Sequence, residues 1–452
     1  MKKIAIVGAG EMGGFIAERL TEEQFEVTVI ERNGDVLAEL QNETDVAGVQ
    51  GDATNIKDLM RADIQDADLF VATTRQDETN LIACLLSRKL KIPHNIALTR
   101  YLGSRGNPLH LANKALGIDL IVNTSEAVRN EIMEVIETTG ASEVATFSEG
   151  RIILIGYPAT AGSPLVGKTV ATLAGAEEEP IFHLASMVRK HKMMQPLPDT
   201  VVEKDDFLYL ITTQANLPRF NAALKVETIK TRTAVINGDN FLSQMLADSL
   251  LSRHFQVTMI ARSEKKAQLL RDHFQHRRHL HLEMGEGTEA RLLRRVKVPT
   301  TSVFISTTND DAANLTACML AKELGVGKTV ATIKREDILP LCHEAGVDAN
   351  IAPRLATVKV IQKVVHENKM LDYRAVAQTK LEVVEVAAQG DCQATKTTLG
   401  KLKLPEGVVI GGVVSNGVPF LPKPNYKVCS GDKVIVLTSP EHLLEVENLF
   451  SD

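Results

Sequence analysis

Tryptophan is absent from this 452-residue chain, and aromatic residues of every kind make up only 4% of it. That argues against a surface built to stack exposed bases. Positive charge is not in excess either. The 51 Lys and Arg are outnumbered by 57 Asp and Glu, for a formal net charge of −6. Non-specific attraction to a phosphate backbone therefore has no electrostatic basis, and no nucleic-acid partner is expected. Long apolar runs are also missing. Met1-Lys2-Lys3 precedes a short apolar run broken by Gly8 and Gly10, which is not a secretory signal. No stretch reaches the roughly 18 uninterrupted apolar residues that a membrane span needs. Any membrane role is expected to run through a partner.

Cysteine is sparse. Cys84, Cys318, Cys342, Cys392 and Cys429 are odd in number, scattered, and never in a C-x-x-C. This fits a reducing cytoplasm and excludes a disulfide framework or a zinc ribbon. His273, His276, His279 and His281 have some metal-like spacing, but Arg277 and Arg278 among them oppose a cation. The cluster reads as a surface helix end, and no metal site is expected.

What is present begins at the first residues. Lys3-Ile4-Ala5-Ile6-Val7 is a short apolar run that stops at Gly8-Ala9-Gly10-Glu11-Met12-Gly13-Gly14. An amphipathic segment follows, with Phe15, Ile16 and Leu20, and then a second apolar run, Val27 to Ile30, ends on Glu31. This is strand, glycine turn, helix, strand, with an acid at the second strand's tip. In such a unit Gly8 permits the tight turn. Gly10 lets the main chain approach a pyrophosphate, and Gly13 lets helix and strand pack closely. Free N–H groups at the helix start face the phosphates. Glu31, 18 residues after Gly13, can accept both ribose hydroxyls of an adenosine.

The first third of the chain continues to alternate strands and helices. Helices are expected over 35–41, 56–62 and 81–90, and strands over 46–50, 69–72, 95–99 and 118–121. Alternation of this kind means a parallel sheet with helices on both faces and ligands at the strands' carboxyl ends. Gly8, Glu31, Asp52, Thr74 and Arg100 all fall there. From about Ser142 the texture becomes β-rich, with runs at 144–147, 151–155 and 207–211 and a helix over 217–224. That predicts a small α+β domain.

The pattern then restarts. Thr233 to Gly238 mirrors Ile4 to Gly8 at an offset of 230, and Asn314 to Cys318 mirrors Asn80 to Cys84 at an offset of 234. Gly400-Lys401 mirrors Gly167-Lys168, and Gly431 to Leu437 mirrors Asp205 to Ile211. The expected architecture is α/β: two Rossmann-like parallel-sheet domains, each followed by a small α+β domain, as a tandem duplication. The expected domains are 1–141, 142–230, 231–372 and 373–452. Duplicated units of this kind pair as the halves of a dimer do.

The second copy has lost chemistry. Gly238, Asn240 and Ser243 stand where the first has Gly8, Gly10 and Gly13, and Ala261 stands for Glu31. The second site should bind NAD weakly or not at all. Arg262 and Lys334 leave a different anionic nucleotide open there.

Gly8 to Gly13, Gly51-Asp52-Ala53-Thr54, Asp77-Glu78-Thr79-Asn80 and the Gly431-Asp432-Lys433-Val434 turn together resemble the potassium-conductance-regulating (RCK, also KTN) domains, over nearly the whole chain. The resemblance implies a nucleotide-binding regulator that works on a membrane potassium-transport subunit. It implies a cytoplasmic protein held at the inner membrane face through that partner, in a ring of four RCK units. Gly8, Ala9, Gly10, Glu11, Met12 and Gly13 would hold the pyrophosphate, and Glu31 with Arg32 would meet the ribose. Asp52, Ala53, Thr73, Thr74 and Arg75 would border adenine and ribose, and Arg100 would offer charge near the phosphates. The family often has arginine where Leu98 stands here, and ATP-binding relatives often have arginine at Glu11. Glu11 would repel a γ-phosphate, which favours NAD+ or NADH over ATP and leaves ADP open.

The rival reading is an NAD-dependent oxidoreductase. It needs a proton donor or acceptor beside the nicotinamide. His183 is available in the small domain, and His191 lies in the polar stretch Arg189 to Lys192, which reads as a solvated edge. No Ser/His/Asp set is discernible. No catalytic residue is assigned, and the chain is read as a non-enzyme.

Overall fold

Strands buried on both faces carry unbroken apolar runs, and the first sheet shows why that pattern means parallel pairing. The computed structural model describes residues 2–100, 116–138, 140–174, 180–190, 192–225, 232–275, 277–365, 370–375 and 381–451. Strands β1 (Lys3–Val7), β2 (Glu26–Glu31), β3 (Ala47–Gln50), β4 (Leu69–Ala72), β5 (His94–Thr99) and β6 (Leu120–Asn123) form a parallel sheet in the order β3-β2-β1-β4-β5-β6. Every residue of β4 is buried, as are Ile4 to Val7 of β1. The order reverses between β1 and β4, and a crevice opens at that point beyond the strand ends.

The second sheet is antiparallel. It comprises β7 (Glu143–Phe147), β8 (Ile152–Pro158), β9 (His183–Arg189), β10 (Lys192–Met194) and β11 (Phe207–Thr213), in the order β10-β9-β11-β8-β7. The third repeats the first: β12 (Thr233–Asn237), β13 (Gln256–Ala261), β14 (Leu280–Met284), β15 (Val303–Ser306), β16 (Lys328–Thr332) and β17 (Ala349–Ile351) run in the order β14-β13-β12-β15-β16-β17. The fourth has β18 (Met370–Ala375), β19 (Glu382–Ala387), β20 (Val409–Ser415), β21 (Val418–Phe420) and β22 (Lys433–Thr438), again antiparallel. The fold is the duplicated α/β architecture expected from the sequence.

The antiparallel sheets share one core. Phe147, Ile152, Leu154, Tyr209 and Ile211 of the second sheet pack with Val383, Val414, Ile435 and Leu437 of the fourth. Gly411 and Gly412 make the approach possible, because a Cβ at Gly411 would lie 2.0 Å from the Ile211 side chain. Ser148 N–H donates to Glu385 Oε2 at 2.6 Å, and the Arg151 guanidinium to Gly417 O at 2.9 Å.

Among the helices that were not expected, two are long. Thr124–Glu137 and Pro353–Val365 each follow the last strand of a parallel sheet. The chain divides into two compact units, residues 1–127 with 354–365, and residues 128–353 with 366–452. Residues 354–365 of the second helix thus belong to the unit of the first parallel sheet although they follow the third in sequence. Lys2 Nζ donates to Val365 O at 2.6 Å, and Gln362 Nε2 donates to the Glu23 carboxylate. In the other unit Lys328 Nζ donates to Val135 O and Thr138 O, at 2.5 and 3.1 Å, and so closes the carboxyl end of the helix Thr124–Glu137.

Burial lowers the Lys328 pKa to about 7; nearby Asp348 opposes that shift and Lys322 adds to it. A lysine depressed in the fold but ordinary when unfolded gives up its proton on folding. Between about pH 7 and the usual lysine value, stability therefore rises with pH. Melting temperatures of the parent chain and Lys328→Met should diverge accordingly. The parent should gain several degrees more between about pH 6.5 and about pH 9.5. An equal pH response in the two would contradict this.

Candidate functional site

The crevice at the end of β1 is shaped by three glycines with three different reasons to be glycine. Gly8 has φ +97°, a conformation that side chains resist. Gly13 is on the first turn of the helix Glu11–Glu22, and a Cβ there would sit 1.8 Å from Gly8 O and 2.4 Å from Thr73 Oγ1. Gly10 is ordinary in conformation, with φ −68° and ψ −175°, and a Cβ there would meet nothing within 4 Å. Neither backbone strain nor packing accounts for Gly10. It opens on empty space beside the helix start.

The neighbouring groups converge on that opening. Ala9 N–H donates to Glu31 Oε2 at 2.7 Å, and Asn33 N–H to Glu31 Oε1 at 2.9 Å, so the carboxylate at the tip of β2 is already aimed at the glycine turn. The exposed Arg32 guanidinium pairs with Asp52 across the tips of β2 and β3. Asp52 also accepts from Thr54 N–H and Thr54 Oγ1, at 2.8 and 2.7 Å. The Arg32 hydrogen bond, followed by those from Thr54, lowers its pKa to about 2. Ala53 is buried beside it.

Past β4, Thr73 Oγ1 donates to Val7 O and Gly8 O at 2.9 and 3.0 Å and holds the turn shut from below. Thr74 is clamped by buried Asn80, whose Oδ1 accepts from Thr74 N–H and Oγ1, and whose Nδ2 donates to Thr74 O and Leu98 O. Arg75 is exposed at the same rim, and Met12 is half-buried on the helix. Arg100 follows β5, and its N–H donates to both Asp77 carboxylate oxygens at 3.1 Å. The sequence-predicted residues thus lie at the carboxyl ends of β1, β2, β3, β4 and β5, on the loops that follow them and on the first turn of the helix Glu11–Glu22.

One residue of this crevice escaped the sequence reading. Arg354 Nη2 lies 3.0 Å from Glu11 Oε1, and its Nε donates to the same oxygen at 3.1 Å. Its guanidinium also lies 5.8 Å from the Phe15 ring centroid. Glu11 is therefore not an isolated negative charge at the helix start. No local motif could have pointed to Arg354, which is separated from Glu11 by 343 positions.

The equivalent place in the second copy is filled. Asn240 caps Ser243 N–H at 2.9 Å and bonds Thr307 O, while Ser243 Oγ lies 2.9 Å from both Asn240 Oδ1 and Thr307 Oγ1. Asn237, where the first copy has Val7, puts its side chain where a Cβ on Gly287 would be 2.3 Å away. Arg262 lies 3.8 Å from Glu286, and Lys334 Nζ donates to Asn309 O at 3.1 Å.

A family model, the TrkA-N domain, matches residues 4–124 and 234–353, and another, the TrkA-C domain, matches 154–225 and 383–451. The chain belongs to the TrkA family. Trk system potassium uptake protein TrkA of Halomonas elongata is 30% identical over 99% of this chain and 98% of the relative. Its counterpart from Vibrio alginolyticus is 28% identical over the same shares. The names of these TrkA relatives are those of a potassium uptake protein, not of an enzyme. Among solved structures, the GsuK RCK domain aligns with a TM-score of 0.59 at 18% identity, covering 99% of this chain and 94% of that one. A GsuK channel bound to NAD aligns with a TM-score of 0.60 at 19% identity, covering 99% and 79%. These likenesses establish the RCK fold. Among the described residues no helix is long and apolar enough to cross a membrane, and no group of His, Cys, Asp and Glu could hold a metal ion. His191 and His276 lie outside the described residues. His183 is half-buried in β9, and the desolvation lowers its pKa.

The glycines separate in a stability measurement. Gly13→Ala should unfold at a markedly lower temperature, costing several kcal/mol through the clash with Gly8 O. Gly10→Ala should cost about 1 kcal/mol or less, the difference between glycine and alanine at a helix start. Thermal melts that rank the two the other way would refute the assignment.

Proposed function

We propose that this chain is a nucleotide-binding regulatory subunit of a potassium-uptake system, which shifts a membrane transport subunit between states as its ligand changes. The observation that carries the reading is the open space beyond Gly10, at a helix start with an acid aimed at the same turn. A pyrophosphate needs that combination: main-chain N–H donors it can approach closely, and a ribose-binding carboxylate one strand away. Gly8, Ala9, Gly10, Glu11, Met12 and Gly13 would line the diphosphate, and Glu31 and Arg32 the adenosine ribose. Asp52, Ala53, Thr73, Thr74 and Arg75 would border the adenine side, with Arg100 adding positive charge. The ligand is NAD+ or NADH, with ADP or ATP as the alternatives. The solved GsuK channel with NAD supports the first. The side chains filling the second crevice support a single nucleotide per chain.

The partner is a TrkH/TrkG-like potassium-transport subunit, reached at the inner face of the membrane. Two chains would close a ring of four RCK units. Ile56, Met60, Ile82 and Leu85, exposed apolar residues on the helices Ile56–Arg61 and Asp77–Lys89, suit contacts between copies. Regulation requires only that the ligand favour one arrangement over another.

Calorimetric titration of the full chain with NADH, NAD+ and ADP should give saturable binding at one site per chain. Gly10→Ala and Glu31→Gln should each weaken it by about tenfold or more, the loss of a close phosphate approach or a charged ribose contact. Potassium flux through the reconstituted transport subunit should then depend on which nucleotide is present. Failure of the parent chain to bind any of them would end this reading.

A further inference from the structure

The helix Pro353–Val365 occupies an unusual place in the chain. Its residues 354–365 belong to the compact unit of the first parallel sheet, while residue 353 before it and the chain from 366 onward belong to the other unit. Its first turn delivers Arg354 to Glu11, the first residue of the helix whose N-terminus faces the opening at Gly10. Arg354 is the more enclosed partner, its side chain 29% exposed against 61% for Glu11, and it rests near the Phe15 ring, which Arg19 also approaches at 5.4 Å. Arg354 Nε donates to Glu11 Oε1 and Nη2 lies 3.0 Å from that same oxygen, which is not the two-pronged fork, one nitrogen to each oxygen, that guanidinium and carboxylate can make. A diphosphate offers the same guanidinium more charge and more acceptor oxygens than this single-oxygen pairing supplies.

We propose that Arg354 is a specificity-determining residue of the first nucleotide site. It pairs with Glu11 in the empty crevice and transfers to a phosphate oxygen when a diphosphate ligand is seated on the glycine turn. This deepens the nucleotide-binding reading above and rests on it. Two consequences follow from the geometry. Glu11 competes with the ligand for the guanidinium, so it weakens phosphate binding indirectly as well as by repulsion. And the chain enters and leaves the segment 354–365 from the other unit, so the exchange takes place on a segment that connects the two units in sequence.

The test compares ligands that share adenosine and differ in phosphate. The full-length parent, Arg354→Gln and Glu11→Gln are titrated with adenosine, ADP and NADH. Arg354→Gln should bind ADP and NADH about tenfold more weakly, the loss of a charge-assisted hydrogen bond, and adenosine with unchanged affinity. Glu11→Gln should bind ADP and NADH more tightly and leave adenosine unchanged. Amide hydrogen exchange over 354–365 should slow when ADP is added to the parent and be unaffected by ADP in Arg354→Gln. Equal weakening for adenosine and ADP would show that Arg354 merely holds the crevice together, and would overturn the proposal. Unchanged ADP and NADH affinity in Arg354→Gln, with the parent binding normally, would overturn this proposal alone. A parent chain that binds none of the three would remove the nucleotide reading and this proposal with it.

Discussion

Everything at the first crevice depends on one close approach, the Gly13 backbone against the carbonyl of Gly8. No side chain fits between them, since even a methyl group would come within 1.8 Å of that oxygen. The contact fixes where the helix Glu11–Glu22 begins relative to β1. It therefore fixes the direction in which the helix's first N–H groups point and the position of Glu11. Thr73 locks the arrangement from the β4 side with hydrogen bonds to Val7 O and Gly8 O. The crevice is thus the consequence of packing two elements to the limit of backbone contact at the point where the sheet order reverses.

The two copies act as an internal control on which residues hold the fold. The polar clamp at the ends of the fourth and fifth strands is common to both: Asn80 bonds Thr74 and Leu98 O, and Asn314 bonds Thr308 and Thr332 O. Thr73 and Thr307 sit at the same turn, and Cys84 and Cys318 lie fully buried at the same helix position, their pKa values raised by burial. Those residues answer to the sheet. Gly10 against Asn240, Gly13 against Ser243, Val7 against Asn237 and Glu31 against Ala261 differ, and they cluster around the crevice. In the second copy Asn240 and Ser243 bond each other and Thr307, and Asn237 bonds Ser306, so the polar side chains that fill the crevice have partners.

The parallel sheets and the duplication were legible in the sequence, because each has a short-range signature. Apolar runs ending at glycine or at an acid give the strands, and the fixed offset between repeats gives the copies. Strand ends moved by a residue or two, as at Leu120–Asn123 in place of 118–121. The helices Thr124–Glu137 and Pro353–Val365 went unread. Each starts within two residues of a strand's end, at Thr124 and Pro353, with no glycine turn to separate the two periodicities. Arg354 was invisible for a different reason. Its meaning comes from a partner at the far end of the chain, and no window on the sequence contains both.

The helix that supplies Arg354 also bears on why the duplication is a fusion. Two identical chains meeting as a symmetric pair would have to keep both crevices alike, since any change in one would appear in the other. Joining them in a single polypeptide removes that restriction. One crevice can harden into plain scaffold while its twin keeps the chemistry, and the scaffold half can lend a guanidinium across. The same arrangement makes the amino-terminal half poor material for inheritance on its own: cut free, it would lose a helix and a charge that only the other half encodes.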